Sequence, residues 1–294
     1  MPDNIAPLYF LHAKLYRPTL PNDHILRPRL LAQLEKGRHH QIVMVSASAG
    51  YGKTTLVSAW VGQLQCPTAW ISLDEGDNDL TVFLSYFLES MKSIFPNFGE
   101  QIYGYSQVSA LPSLPVITTY LINEIDKIDQ DFLLVLDDFH MLTNGDIHLL
   151  LDGLLQYPLP HFHLALTSRF DPPPSLAKLR AKGKMIEVRA KDLCFSDSEV
   201  ASFTEQLLPA KPDVETIRIL TEKTEGWAVG LRLATIAIRR WGVSDYQPAI
   251  LQVDNQYVVD YLVDEVLARC PTAVIDFCFN PPSSTASRSP CAPP

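Results

Sequence analysis

The segment ASAGYGKT, residues 47–54, constrains the fold of this chain more than any other feature. It follows the apolar run QIVMVS (41–46) and precedes an amphipathic helical pattern. Glycines and small residues let such a loop curl until successive N–H groups face one point, and the start of the next helix adds its positive dipole end. Apart from Ala47, which replaces the first glycine, the segment matches the phosphate-binding P-loop, G-x-x-x-x-G-K-[ST]. An alanine keeps this turn provided that its φ stays negative.

The P-loop predicts a nucleotide site for ATP or ADP with Mg²⁺. Lys53 is expected to reach the β- and γ-phosphates, and the Thr54 hydroxyl to coordinate the metal. The predicted nucleotide-binding residues of the loop are Ala49, Gly50, Tyr51, Gly52, Lys53, Thr54 and Thr55. The alternative is a strand-to-helix turn that contains GKT by chance, and the matching strand and helix around the loop disfavour it.

A second motif, FLLVLDDFH, places two acidic residues at the end of a buried strand. Asp137 is predicted to be a metal ligand together with Thr54, and Asp138 to be the catalytic residue that orients or deprotonates the attacking water. Alone, such a pair is more often a turn, but beside a P-loop the catalytic interpretation is favoured. The neighbouring His140 is interpreted as a packing or hydrogen-bonding residue.

Arg169 follows the next apolar strand, in the sequence TSR. Ligands of open parallel sheets bind at the carboxyl ends of the strands. Arg169 is therefore a predicted catalytic residue that senses the γ-phosphate as an internal cation. A solvent-exposed arginine at a strand end is the alternative, and the spacing alone does not separate the two.

Short apolar runs alternate with helical patterns through the middle of the chain, which predicts an α/β fold: a P-loop NTPase parallel sheet flanked by helices. After Lys191 the pattern becomes helical throughout, starting with Ser196 and Glu199 in capping-box register, so an all-helical module is expected to follow. Strands are predicted at 41–46, 68–73, 132–138, 162–168 and 185–189. Helices are predicted at 54–64, 81–95, 114–128, 146–156, 174–182, 213–225, 227–240 and 255–269.

The predicted organisation has four parts. These are a lead-in segment (1–40), the P-loop nucleotide-binding domain (41–190), the helical module (191–277) and a tail (278–294). The tail is rich in proline and serine and has no periodicity, so it is expected to be disordered or to reflect a reading-frame shift.

Composition excludes several classes of function. The net charge of −9 argues against nucleic-acid binding by this chain alone, because phosphate neutralisation needs clustered Lys and Arg. No apolar run approaches the roughly 18 residues that span a bilayer, and no signal peptide is evident. A cytoplasmic protein without membrane contact is expected. The five cysteines are scattered and lack the spacing of a zinc site.

Several segments together resemble the N-terminal nucleotide-binding part of MalT-like, LuxR-family transcriptional activators, a branch of the STAND signalling ATPases. The resemblance extends from about Leu11 to Phe277. The matching segments are KLYRP (14–18), LRPRLL (26–31), SASAGYGKTTL (46–56), AWISLDEGDND (69–79), LVLDDFH (134–140), LTSR (166–169) and TEGWAVGLRLA (224–234).

The resemblance implies a nucleotide switch: ADP holds the protein at rest, and an unidentified inducer with ATP lets it self-associate and activate transcription. It also implies that the segment around Arg27 approaches the nucleotide, and that the helical region with Gly226, Trp227 and Gly230 closes over it. From the residues themselves, Trp227, Leu231 and Ala234 recur at helical spacing and are interpreted mostly as core. Members of the family continue into sensor and helix-turn-helix domains, so this chain is expected to be truncated and not to bind DNA directly.

Three functions are compatible with these residues. The first is the switch portion of a regulator, at most a slow Mg²⁺-dependent ATPase. The second is a free-standing P-loop ATPase or kinase, although no Arg-rich lid segment is present. The third is a binding module with a vestigial site, against which the joint presence of Lys53, Thr54, Asp137 and Asp138 argues.

Overall fold

Five parallel strands form the centre of the fold. The computed structural model describes residues 10–38, 40–100, 112–171 and 174–241. The predicted helix 255–269 and the tail 278–294 lie outside these residues. The strands are β1 (Ile42–Ser46), β2 (Thr68–Ser72), β3 (Phe132–Asp137), β4 (Phe162–Ser168) and β5 (Met185–Arg189). They form one parallel sheet in the order β2-β3-β4-β1-β5, which confirms the predicted α/β fold.

Helices flank the sheet and follow it along the chain. Those before and between the strands are α1 (Pro28–Gly37), α2 (Lys53–Val61), α3 (Leu80–Lys92), α4 (Leu114–Asp126), α5 (Gly145–Gln156) and α6 (Pro174–Ala181). After the sheet come α7 (Ala190–Leu193), α8 (Asp197–Leu207), α9 (Val214–Thr224) and α10 (Ala228–Trp241). The helices predicted within the described residues are therefore confirmed, with shifts of a few residues at their ends.

The sheet is buried on both faces, which explains why its strands are continuous apolar runs rather than alternating ones. In β1, Ile42 and Met44 point into a core shared with α3, α4 and α5. The alternate residues Val43 and Val45 pack on the other face with α1 and α2. The side-chain period of two thus divides one short strand between two cores.

Strand order determines where the functional loops meet. Because β3, β4 and β1 are neighbours, their carboxyl ends lie side by side at one edge of the sheet. The P-loop follows β1, the acidic pair ends β3, and Arg169 follows β4. The sheet therefore brings three segments that are far apart in sequence to one place.

The helices after β5 have a small core of their own. Ser196 accepts a hydrogen bond from the Glu199 N–H, and the Ser196 N–H donates to the Glu199 carboxylate, so the predicted capping box at α8 is confirmed. The core residues of α8–α10 and their connections are Val200, Phe203, Leu208, Leu220, Leu231, Ala234 and Ile238. The domain boundary near residue 190 stays a prediction.

The described part of the lead-in segment contains helices that the sequence pattern did not identify. Helix α1 begins with Pro28 and buries Leu30, Leu31 and Leu34. A short 3₁₀ helix, His12–Leu15, precedes it. This 3₁₀ helix places Lys14 against the segment after β2.

Lys14 makes a buried ion pair that attaches the lead-in segment to the region after β2. Its Nζ lies 2.6 Å from Asp77 and 2.9 Å from Asp74, and 4.8 Å from the centre of the Tyr86 ring. Asp77 is fully buried, so its carboxylate depends on this partner. Removing one partner of a buried ion pair leaves an uncompensated charge.

We expect Lys14→Ala to lower the free energy of unfolding by about 3 kcal/mol, because Asp77 loses its cation. Urea denaturation monitored by circular dichroism measures the change. The matched control is Lys127→Ala, which removes an exposed lysine paired with Glu124 and should cost much less, because water screens an exposed ion pair. Equal losses in the two variants would contradict the structural role of Lys14.

Candidate nucleotide-binding site

The P-loop connects β1 to α2 through two glycines in left-handed conformation. Gly50 has φ 78° and Gly52 has φ 77°, values that residues with a Cβ rarely adopt. Among the described residues with a Cβ, only Asp138 and Glu225 have positive φ. Ala47 therefore keeps the negative φ that an alanine requires at the first position of the motif.

Lys53 is the first residue of α2 and is buried at the base of the loop. Its Nζ donates a hydrogen bond to the Ser48 carbonyl oxygen at 3.0 Å. Burial lowers the pKa of Lys53, and the neighbouring Arg169 lowers it further, against the opposing effect of Asp138 and Asp137. A phosphate group would supply the anionic partner that this ammonium group needs at neutral pH.

Asp137 lies beneath the loop and is 4% exposed. Its Oδ1 accepts hydrogen bonds from the Thr54 hydroxyl at 2.9 Å and from the Thr167 hydroxyl at 2.6 Å. Burial raises the pKa of Asp137, partly offset by these hydrogen bonds. The structure thus brings together the two residues that the sequence predicts as metal ligands.

The Thr54 and Asp137 oxygens fit a magnesium ion in donor type, since Mg²⁺ prefers oxygen ligands and retains several waters. The described part of the chain contains no cluster of three or more His, Cys, Asp and Glu side chains that could hold a metal. A metal here would depend on phosphate oxygens and water for its remaining ligands.

Asp138 leaves the end of β3 in a left-handed conformation, φ 58° and ψ 41°. Its backbone N–H donates to the Thr167 hydroxyl at 2.9 Å, which fixes this turn. The carboxylate is 39% exposed and lies 3.8 Å from the His140 ring. Thr167, to which the sequence pattern assigns no role, connects both acidic residues to β4.

A cavity of about 440 Å³ opens at this edge of the sheet. Apart from Asp137, which lies behind Thr54, every predicted site residue contributes to its lining. These lining residues are Arg27, Ala49, Gly50, Tyr51, Gly52, Lys53, Thr54, Thr55, Asp138 and Arg169. The predicted site is therefore spatially compact, although the role of each residue stays a prediction.

Arg27 reaches the cavity wall, but its donors bind protein groups. The guanidinium donates to the carbonyl oxygens of Leu193 and Cys194 and to the Glu199 carboxylate, and it lies 4.3 Å from the centre of the Phe195 ring. Although burial opposes the effect, the hydrogen bonds from Arg27 hold the pKa of Glu199 below its usual value. Arg27 thereby attaches the lead-in segment to the region of α7 and α8.

The start of α10 is hydrogen-bonded to the P-loop. The Trp227 indole N–H donates to the Ala49 carbonyl oxygen at 3.1 Å, and the Val229 N–H donates to the Gly50 carbonyl oxygen at 3.2 Å. Leu231 and Ala234 are buried in the helical core, as predicted, whereas Trp227 is half-buried against the loop. The helical spacing therefore identified the core residues but not the indole contact.

Sequence reasoning also missed much of the cavity wall. Asp23 and Ile25 come from the lead-in segment, and Phe203, Val229 and Arg232 come from α8 and α10. No local pattern marks these residues as site residues, because the contacts that bring them to the P-loop are long-range.

The chain is similar in sequence to a bacterial transcriptional regulator. No family model matches the chain. Over 257 residues the chain is 32% identical to the HTH-type transcriptional regulator MalT of Serratia proteamaculans strain 568. This chain is related to the MalT regulators. The match covers 87% of this chain and 28% of MalT, so the chain spans less than a third of the MalT relative.

Solved structures of P-loop ATPases have a fold similar to that of this chain. A Walker-type ATPase of Pyrococcus abyssi superposes with a TM-score of 0.53 and 16% identity, covering 90% of this chain and 81% of that chain. Cdc6p of Pyrobaculum aerophilum superposes with a TM-score of 0.52 and 15% identity, covering 88% of this chain and 74% of that chain.

In the described ranges, no helix is both long and apolar enough to cross a membrane.

We expect Gly50→Ala to destabilise the nucleotide-free chain more than Gly52→Ala. Both substitutions force an alanine into φ near +77°, which costs about 1–2 kcal/mol. A Cβ at Gly50 would also lie 2.8 Å from the Trp227 indole nitrogen and the Val229 side chain, whereas none of the described atoms lies within 4 Å of a Cβ at Gly52. Urea denaturation of the two variants measures the difference, and equal losses would show that the contact with α10 contributes nothing.

Proposed function

We propose that this chain binds ATP and ADP with Mg²⁺ and is the nucleotide-switch portion of a MalT-type, LuxR-family transcriptional regulator. The observation that carries the proposal is the contact of Thr54 with Asp137 beside the buried Lys53, below a P-loop that opens onto the cavity. The relationship to MalT supports the regulatory part of the proposal.

Phosphate binding falls to the P-loop and the start of α2. Successive backbone N–H groups and the positive end of the helix dipole favour an anion at this point. Lys53 adds a full charge, and its Nζ donates to the neutral Ser48 carbonyl oxygen. A phosphate oxygen would be a stronger acceptor, because hydrogen bonds between charged groups are stronger than those to neutral ones.

Metal binding falls to Thr54 and Asp137. When bound, Mg²⁺ neutralises charge on the phosphate oxygens. Thr167 holds the Asp137 carboxylate in place from the side of β4, so the ligand oxygen is oriented before the nucleotide arrives. An oriented ligand reduces the entropy that binding must overcome.

Hydrolysis, where it occurs, would use Asp138 and Arg169. Asp138 is the exposed member of the acidic pair and lines the cavity, so its carboxylate can accept a proton from water or orient it. Arg169 lines the same cavity and would place positive charge near the terminal phosphate. We propose slow turnover that serves as a regulatory step.

The base and ribose would lie against the apolar part of the cavity. This part is walled by the lead-in segment on one side and by α8 and α10 on the other. Its apolar lining includes Pro21, Ile25, Leu31, Ala59, Phe203 and Val229. Such a mixed wall, mostly apolar with a few polar groups, is typical of nucleotide and cofactor sites.

The proposed switch acts through the contact between the P-loop and α10. Because two P-loop carbonyl oxygens accept hydrogen bonds from Trp227 and Val229, a change in loop conformation is transmitted directly to the helical region. We propose that the ATP state self-associates, that the protein is cytoplasmic, and that DNA binding is not a property of these residues.

We expect Lys53→Ala to weaken ATP and ADP binding by about 10- to 100-fold, because a charge-assisted contact with the phosphates is lost. Isothermal titration with Mg²⁺ measures the affinities, and Lys127→Ala, which changes an exposed lysine, is the control. The fold should remain intact, since the buried ammonium group has a lowered pKa and stabilises little by itself. Unchanged affinity in a folded Lys53→Ala variant would overturn the P-loop assignment.

We expect Asp138→Asn to retain Mg-ATP binding while hydrolysis slows by about 100-fold, since the amide cannot accept the proton. Single-turnover measurement of phosphate release, with affinity measured in parallel, separates the two effects. If turnover in the variant equals that of the natural chain, Asp138 has no part in the reaction.

A further inference from the structure

The loop from Pro21 to Arg27 covers one side of the cavity and is attached to the helical region at three points. Ile25 packs against the core of α8–α10. Arg27 binds Glu199 and two carbonyl oxygens, and Asp23 forms an ion pair with Arg232 of α10. These attachments hold the covering loop (residues 21–27) against the cavity.

The two ion pairs of the covering loop differ in burial. Arg27 is 8% exposed and Glu199 11%, and the guanidinium also stacks on Phe195. A buried, hydrogen-bonded and stacked guanidinium is costly to displace. The Arg27 end of the loop is therefore a fixed anchor.

The Asp23–Arg232 pair is the accessible attachment. Arg232 Nη1 lies 2.8 Å from Asp23 Oδ2 and 3.1 Å from Oδ1; Asp23 is 15% exposed, but the arginine side chain is 50% exposed. Water competes for an ion pair of this kind, so it opens at small cost. Both side chains line the cavity, and Arg232 lies one helical turn beyond Ala228, which also lines it.

We propose that the Asp23–Arg232 ion pair is a clasp that controls nucleotide exchange. Opening the clasp lets the part of the covering loop before Ile25 move while Ile25 and Arg27 stay attached, and this uncovers the side of the cavity that residues 21–24 line. The phosphate contacts stay as they are, so the clasp sets how fast a nucleotide leaves rather than which groups bind it. This inference rests on the proposed nucleotide binding.

The geometry also predicts how the two residues depend on each other. If the two residues act only through their ion pair, removing either partner speeds nucleotide release by the full amount, and removing both speeds it little further. If Arg232 instead contacts the nucleotide phosphates, its loss weakens binding far more than the loss of Asp23. The two roles therefore differ in a double-mutant cycle.

The experiment is a stopped-flow measurement of the release of a fluorescent methylanthraniloyl-ADP, chased with excess ADP in the presence of Mg²⁺. Asp23→Asn and Arg232→Gln should each speed release about two- to fivefold, the range expected for an ion pair with one half-exposed partner. The double variant should release no faster than the faster single variant. The reversed pair, Asp23→Arg with Arg232→Asp, should return the rate to within about twofold of the natural chain.

The matched control is Arg218→Gln, which removes an exposed arginine paired with Glu215 and Glu222 on α9, away from the cavity lining. It should leave release unchanged. Unchanged rates in both single variants, multiplied effects in the double variant, or a much larger effect of Arg232→Gln would overturn the clasp while leaving nucleotide binding established. Absence of binding that depends on Lys53 would overturn the proposed function and the clasp with it.

Discussion

One buried oxygen, Oδ1 of Asp137, accepts hydrogen bonds from the hydroxyls of Thr54 and Thr167. These two threonines belong to the start of α2 and the end of β4, so a single carboxylate joins the loop after β1 to the strands beside it. Thr167 in turn accepts from the Asp138 N–H and holds the left-handed turn that turns Asp138 toward the cavity. Hydrogen bonds to a carboxylate are stronger than those between neutral groups, so this carboxylate fixes Thr54 and Thr167 relative to each other.

The P-loop is hydrogen-bonded to the start of α10 as well as to Asp137 of the sheet. A peptide group carries its acceptor opposite its donor, and the carbonyl oxygens of Ala49 and Gly50 are taken by Trp227 and Val229. The helical region can therefore attach to the loop without using the donors that a phosphate needs. Position 50 requires a glycine for two reasons: its φ is positive, and the Trp227 ring packs against it where a Cβ would lie.

The sequence was informative where the determinants are local. The P-loop, the acidic pair and the strands depend on residues adjacent in the chain, and the structure agrees with their predicted positions. Strand order was not predictable, because nothing in β1 specifies β4 and β5 as its neighbours. The same holds for Arg27, whose partner Glu199 lies 172 positions away, and for the Trp227 indole, whose acceptor lies 178 positions away. Helical periodicity predicts which face of a helix is apolar, but it does not predict which residues elsewhere in the chain that face contacts.

The pKa shifts of Lys53 and Asp137 have a consequence for the life of the protein. Burial lowers the pKa of Lys53 and raises that of Asp137, so it disfavours the charged form of both groups. On the proposed function, a nucleotide with its metal would supply the missing charges and bind only the folded chain, so stability would rise with the logarithm of the nucleotide concentration. Adenine nucleotide would then stabilise the fold as well as act as a signal, and exchange of ADP for ATP would be favoured over release of nucleotide without replacement.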